Sequence, residues 1–319
     1  MVSPARGSRQ PGAQKSTTFC GRGQRPVHWG QDVTQQIMVA GPGWLGGAAA
    51  EQWAEAGHQV WALRRSSGPA PSGCIGLVGD LSQPQPAADW PRRIDQLVVA
   101  VPPSAATAGG RSYAATAVAA ASLASSLGAG HLTWISSTGI YDRHDGSLVD
   151  ESTPIHAEAS ERVRTLWEAE QALMARDDST LAVTILRASG LYGPGRDPAR
   201  RYTPTLADPD RWTNFAWRDD VIAAIEKVGF VAPAGARGCY NCSDGHSMRA
   251  GDIVRALHGV WPEPSEANAS GAMRTSNQRV SAAALRAAGW QPRMPTVLHG
   301  LAALGHAVQH PDRETGSGQ

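Results

Sequence analysis

The chain has 319 residues, 41% of them apolar, with 29 basic and 28 acidic side chains and a formal net charge of +1. That length suits one large domain or two small ones, and the near-neutral balance gives no electrostatic case for nucleic-acid or membrane-surface partners. No apolar run approaches the roughly eighteen residues of a membrane span. The four cysteines, Cys20, Cys74, Cys239 and Cys242, are too sparse for a disulfide framework, so a reducing cytoplasm is the expected compartment.

Residues 1–34 differ from the rest. They are rich in Gly, Ser, Gln and Arg and carry no acidic residue before Asp32, a composition that cannot bury a core. The expectation is a disordered extension, a transit-type segment or an upstream start, with the fold beginning near residue 35.

The next stretch, residues 35–65, organises the chain. Ile37 to Ala40 is a short apolar strand, followed by the turn Gly41-Pro42-Gly43-Trp44-Leu45-Gly46. Leu45, Ala49, Trp53 and Ala56 then recur at helical spacing, Gly57 stops the helix, and residues 59–63 read as a second strand. Strand, glycine turn, helix and strand in this order form the context in which GxGxxG cradles a dinucleotide. In that motif Gly41 permits the tight turn, Gly43 admits the pyrophosphate to the main chain, and Gly46 lets helix and strand pack closely. The N–H groups near Trp44 and Leu45 face the anion at the positive end of the helix dipole. A glycine-rich corner without ligand is the plainer alternative.

The end of the second strand discriminates between cofactors. An acidic residue there binds the ribose of NAD, whereas arginine accommodates the 2′-phosphate of NADP. The residues are Arg64, Arg65 and Ser66, so NADP is expected over NAD, unless both arginines are solvated surface groups.

Further along, residues 75–78 make a third strand ending at Asp80-Leu81. Leu97-Val98-Val99-Ala100-Val101 is a continuous apolar run, as a buried parallel strand should be. A helix over about 111–127 leads to a fifth strand at 131–135, which opens into Ser136-Ser137-Thr138-Gly139-Ile140-Tyr141. A charged helix over 157–176 precedes a sixth strand at 181–186. Glu168 and Glu170 on it read as a solvated face or as salt-bridge partners. This alternation predicts an α/β fold with a doubly wound parallel sheet, whose ligands bind at the carboxyl ends of the strands.

Beyond Gly190 the pattern loosens. Residues 191–305 read as a small interleaved C-terminal cap on a dinucleotide-binding domain at 35–190, with a tail at 306–319. Two helical patterns, 218–229 and 248–259, flank a short strand near Gly238–Asn241. Cys239 and Cys242 match CxxC, but residues three apart on a strand face opposite ways, so ordinary cysteines are expected there.

In this order the motifs resemble the extended short-chain dehydrogenase/reductases, which include nucleotide-sugar epimerases and dehydratases. The likeness runs from about residue 35 to 305. It takes in the glycine turn, Asp80-Leu81, the segment 136–141, Arg187-Ala188-Ser189-Gly190-Leu191-Tyr192-Gly193-Pro194-Gly195, the segment 212–221 and the late strand 238–244. The resemblance implies a Rossmann-type domain binding NADP and a small-molecule substrate. Beyond the glycine turn and the two arginines, it implies cofactor contacts from Asp80, Leu81, Ala100, Val101, Ser136 and Ala188.

In that family a serine or threonine after the fifth strand works with Tyr-x-x-x-Lys on the next helix. Counting back from Tyr141, the serine slot falls on Ser137. The tyrosine slot falls on Arg162 and the lysine slot on Leu166. Arginine keeps its proton, so Arg162 binds an anion but relays nothing. The pattern resembles the atypical branch of the family, with the nucleotide site kept and the catalytic tetrad degenerate. Ser137, Tyr141 and Arg162 are therefore the expected catalytic residues, with Tyr141 as the titratable hydroxyl on the cofactor side. Tyr113, His144 and His156, with the acids of the loop 142–156, are further proton-donor candidates. Two readings follow: an NADP-dependent reductase or epimerase-like enzyme, or an NADP-binding sensor or assembly protein without turnover.

Overall fold

A computed structural model describes residues 34–106, 111–264 and 276–309. The extension at 1–34 therefore lies outside the described residues up to position 33, as does the tail beyond position 309.

The core is a sheet of seven strands: β1 (Gln36–Ala40), β2 (Gln59–Arg64), β3 (Ile75–Val78), β4 (Gln96–Val99), β5 (His131–Ser137), β6 (Ala182–Ala188) and β7 (Arg237–Cys242). They pair in the order β7-β6-β5-β4-β1-β2-β3, and every pairing is parallel. The order reverses between β1 and β4, which opens a crevice at the carboxyl ends of those strands.

Alternation along β1 shows how the layers are made. Met38 and Ala40 face a core shared with Leu123 of α2 (Tyr113–Ser126) and Leu166 and Leu173 of α3 (Glu161–Met174). Ile37 and Val39 face the opposite core, with Ala49 and Trp53 of α1 (Trp44–Glu55) and Val221 and Ile222 of α4 (Arg218–Ala224). Helices thus cover both faces, and the central strands β4 and β6 are buried along their whole length. Helices α2 and α3 start later than their patterns predict because Ser112 and Ser160 cap them. The two hydroxyls accept the Ala115 and Val163 N–H at 3.0 and 3.2 Å.

The segment 191–305 divides between two places. Strand β7 lies parallel to β6, with Arg237 opposite Val183 and Cys242 opposite Ala188. It completes the main sheet, and α4 covers that sheet. Only the remainder forms the smaller part, whose core gathers Tyr192, Phe215 and Trp217 with Ile253 of α5 (Ala250–His258) and Leu298 of α6 (Val297–Ala303). Cys242 is buried on the α4 side of β7, Cys239 is half-buried, and both are free thiols. Burial pushes both up, Cys239 to about 12, which suits packing residues rather than reactive thiolates. No helix among the described residues is long and apolar enough to cross a membrane.

Candidate functional site

At the switch point lies a cavity of about 310 Å³, lined by the glycine turn, by Arg64, Arg65 and Ser66 after β2, by Asp80 and Leu81 after β3, and by Ala100 and Val101 after β4. The glycines act as their positions require. Gly41 has φ +85°, and a Cβ there would stand 2.8 Å from Val101 Cγ2. A Cβ on Gly46 would run into the Gly41 carbonyl, which fixes how closely α1 approaches β1. Gly43 contrasts with both, since a Cβ on it would meet nothing within 4 Å and would project into open space. That space beside the start of α1 is where a pyrophosphate fits, so the residues present suit a dinucleotide.

Around the rim, Arg64 Nη1 donates to the Pro69 carbonyl at 2.7 Å, which folds the guanidinium under the loop 66–70. Asp80 Oδ1 accepts both the Ser82 amide and hydroxyl at 2.8 Å. Partial burial opposes its ionisation, but these bonds and the charges of Arg65 and Arg111 outweigh it and hold the carboxyl below its usual value. Tyr113, a proton-donor candidate by sequence, is buried with its hydroxyl donated to the Val101 carbonyl at 2.9 Å. It props the cavity wall, and burial raises its hydroxyl well above the ordinary range.

The side chains of two residues at the start of α1, whose N–H groups are the ones the sequence points to, turn away from the cavity. Leu45 packs its side chain into the core beneath α1. Trp44 lies away from the cavity: its indole Nε1 donates to the Pro194 carbonyl at 2.9 Å, and the guanidinium carbons of Arg196 and Arg218 sit 5.4 and 5.5 Å from its ring. The indole ties the start of α1 to the loop 193–196.

A second, larger cavity of about 810 Å³ opens beyond the ends of β5 and β6, with Ser136, Ser137 and Ala188 in its wall. Arg162, Arg196, Arg201 and Arg211 also line it, from α3 and from loops remote in sequence, while Asp142 is its single acidic lining residue among those described. Asp142 is also the single non-glycine described residue with positive φ, at 48°, and its Oδ1 lies 3.5 Å from His144 Nε2. Strained backbone of this kind concentrates at functional sites. His156, by contrast, does not line the cleft and pairs at 3.5 Å with Glu158.

Ser137 and Arg162 come together. Ser137 Oγ accepts the Gly139 N–H at 3.1 Å, and a Cβ on Gly139 would lie 2.8 Å from Arg162 Nη2 and 3.3 Å from Ser137 Oγ. Leu166, in the lysine slot, is buried in the core and meets no ligand space.

Tyr141 requires correction. It is 1% exposed and lines neither cavity. The turn at Thr138–Ile140 swings its ring inward, where its hydroxyl donates to Asn241 Oδ1 at 2.8 Å and accepts from Arg187 Nη1 at 2.9 Å. Burial pushes it up to about 12 despite the Arg187 charge. It is not the hydroxyl on the cofactor side.

Beneath it lies a buried ion pair, the salt-bridge alternative that the sequence left open for Glu170. Glu170 is 1% exposed and accepts two hydrogen bonds at 3.1 Å from Arg187 Nε and one at 2.6 Å from Nη2. Burial alone would lower the Arg187 pKa, but the Glu170 carboxylate overrides it and raises the value. The Ser136 hydroxyl, expected at the cofactor, is turned onto Glu170 Oε1 at 2.5 Å. Glu168 is exposed as read.

With that geometry in place, the comparisons place the chain. The model of the NAD dependent epimerase/dehydratase family matches residues 37–208, and the chain belongs to that family. Protein YeeZ of Escherichia coli strain K12 is 28% identical over 225 residues, covering 67% of this chain and 80% of YeeZ. A solved structure from Methylobacillus flagellatus, assigned to the NAD-dependent epimerases/dehydratases, is 29% identical with a TM-score of 0.64. It covers 85% of this chain and 98% of its own. MoeE5, solved with UDP-glucuronic acid and NAD and also with UDP-glucose and NAD, shares the fold. The glucuronic acid complex has a TM-score of 0.65 at 18% identity, covering 84% of this chain and 96% of MoeE5.

Proposed function

We propose that the protein is an NADP-dependent oxidoreductase or epimerase acting on a nucleotide-linked sugar. The observation that carries the cofactor is the cavity at the glycine turn, open at Gly43 and rimmed by Arg64, Arg65 and Ser66 with no carboxylate at the end of β2. A guanidinium there matches the 2′-phosphate of NADP. Gly41, Gly43 and the first turn of α1 would hold the pyrophosphate, Asp80 and Leu81 the adenine end, and Ala100 and Val101 the middle. Bound in that way, the nicotinamide supplies or accepts a hydride.

The larger cavity supports the substrate class. Its volume is within the range of ligand sites, and its four arginines fit a diphosphate. MoeE5, of the same fold, is solved with two nucleotide sugars. Ser137 hydrogen-bonds the reacting oxygen, Arg162 holds an anionic group, and His144 beside Asp142 is a side chain of the cleft wall that can pass a proton. The segment 191–305 contributes about half of the residues that line this end of the site.

Calorimetric titration tests the cofactor assignment. NADPH should bind at least about tenfold tighter than NADH, or about 1.4 kcal/mol, and Arg64→Ala with Arg65→Ala should erase the difference. Equal affinities in the unaltered protein overturn the assignment. The second reading, an NADP-binding protein without turnover, is favoured by Arg162 and Leu166 standing where the family places its proton relay. It gains if NADPH binds but no nucleotide sugar changes the NADPH absorbance.

A further inference from the structure

Residues 193–196 form a turn whose shape their sequence dictates. The Arg196 N–H donates back to the Gly193 carbonyl at 2.8 Å, and Gly195 has φ +76°. Proline at the second position and a left-handed glycine at the third mark a type II turn, which fixes the backbone from which the Arg196 side chain starts. Trp44 grips this turn. Besides the Nε1 bond to the Pro194 carbonyl, a Cβ on Gly193 would stand 3.6 Å from Trp44 Cζ2, and one on Gly195 would stand 3.7 Å from Trp44 Nε1. The indole therefore packs on the main chain of the turn. Two arginines lie over its ring, and they differ. Arg218 Nε is committed to Asp219 Oδ1 at 2.8 Å, and this residue lines neither cavity. Arg196 lines the larger cavity, and its guanidinium has no hydrogen-bond or ion-pair partner among the described residues. The adjacent carboxylate, Asp197, is taken by His306 Nε2 at 2.8 Å. A guanidinium held over an aromatic face keeps N–H donors at its edge for an anion.

We infer that Trp44 is a positioning residue of the larger cavity: its ring holds the Arg196 guanidinium in place as a fork for the diphosphate of the second ligand. The inference rests on the proposed reading of that cleft as the substrate site. An exposed arginine gives up side-chain freedom when it grips a ligand. One that springs from a fixed turn and already lies over an indole has less to give up, so it binds the anion more tightly. Of the four arginines that line the cavity, Arg196 alone is held over an aromatic ring among the described residues. Trp44 then serves both cavities by different parts. Its main chain stands in the first turn of α1, where the dinucleotide pyrophosphate fits, and its ring serves the neighbouring ligand.

The test is calorimetric titration of UDP, and separately of inorganic pyrophosphate, into the full-length protein saturated with NADPH, so that the dinucleotide site is filled and the larger cavity reports. Arg196→Gln should weaken UDP binding at least about tenfold. Trp44→Leu fills the space without an aromatic face and should weaken UDP about fivefold, whereas Trp44→Phe keeps the face and should stay within about twofold of the wild type. The double variant separates positioning from a structural role. In the Arg196→Gln background, Trp44→Leu should change UDP affinity by less than about twofold, because the ring then has nothing to position. Equal weakening by Trp44→Leu in both backgrounds overturns the inference, and so does a Trp44→Leu protein that binds UDP as tightly as the wild type. If UDP binds and Arg196→Gln does not weaken it, the inference falls and the nucleotide-sugar reading stands. If UDP does not bind but pyrophosphate does, with the same dependence on Arg196 and Trp44, the fork stands and the nucleotide-sugar reading falls. Binding of neither probe rejects both.

Discussion

The two cavities at the carboxyl edge of the sheet are made in different ways. The one at the switch point is built from backbone: the turn from Ala40 to Gly43 that leads into α1, and the ends of β2, β3 and β4, with side chains mattering mainly at the rim. The other is built from side chains. Its arginines come from α3 and from loops between positions 196 and 211, and its wall borrows the ends of β5 and β6. A backbone site depends on where the chain is allowed to go and tolerates little substitution. A side-chain site depends on which long residues reach in, so its chemistry can change while the fold stays.

The largest effect on ligand binding should come from the backbone site. Gly46→Val places a branched side chain against the Gly41 carbonyl and the Ala100 and Val39 side chains. Because α1 cannot approach β1, NADPH affinity should fall by more than about a hundredfold, beyond roughly 2.7 kcal/mol. Retention of NADPH binding within tenfold would show that the helix start is not the cofactor cradle.

Next comes the floor of the side-chain site. Breaking a buried ion pair by removing one partner costs about 3–5 kcal/mol, because the other charge stays buried. Glu170→Ala should lower the denaturation free energy by that amount, with the loss read from the denaturant midpoint. A smaller effect is expected for Tyr141→Phe, which leaves Arg187 Nη1 and Asn241 Oδ1 each short of a partner. It should destabilise by about 1–3 kcal/mol and leave NADPH affinity and turnover within twofold. A large loss of turnover at unchanged stability would instead return Tyr141 to the chemistry.

The contrast also explains what the sequence could reveal. The glycine turn was legible because its parts are contiguous and each glycine answers a local demand. Strands β1, β2, β4, β5 and β6 were legible because parallel strands buried on both faces read as apolar runs, whereas the edge strand β3, though short and apolar, is largely exposed. Strand β7 was taken for part of the cap, since RGCYNC has no such run and sits at a sheet edge. Tyr141 was misdirected for a different reason. Its partners Arg187 and Asn241 are 46 and 100 residues away, and no local pattern says which way a residue faces after a turn. Glu170 looked like its neighbour Glu168 until Arg187 came across from β6 to meet it. Arg196, Arg201 and Arg211 follow no spacing at all, and only the fold gathers them.

One carboxyl at the backbone site and one just after β7 are shifted in opposite directions. Asp80, at the backbone site, is held below its ordinary value of 3.8, with burial opposed by the Ser82 bonds and two arginines. Asp244, which follows β7, is pushed up to about 8, chiefly by burial, with the His246 amide and Arg286 only partly offsetting it and Asp220 adding to the rise. Its Oδ1 accepts the His246 N–H at 3.0 Å, while Oδ2 has no partner among the described residues. The signs are opposite. Asp80 contributes stability that is complete above pH 3.8 and is lost as pH falls through its lowered folded value. Asp244 binds a proton in the folded protein between pH 3.8 and about 8, where the unfolded chain has already released it. Its contribution is therefore complete below that window and is lost as pH rises across it. Thermal melts of the wild type and of Asp244→Asn between pH 5 and pH 8 should separate in slope, with the wild type falling more steeply as pH rises. The slope is the readout because an amide changes the hydrogen bonding at every pH alike. Asp80→Asn should keep the wild-type slope in that range and differ only toward acid. Parallel curves for Asp244→Asn and wild type would mean that the carboxyl is ionised in the folded protein, with a counter-charge that the buried surroundings of Asp244 do not supply.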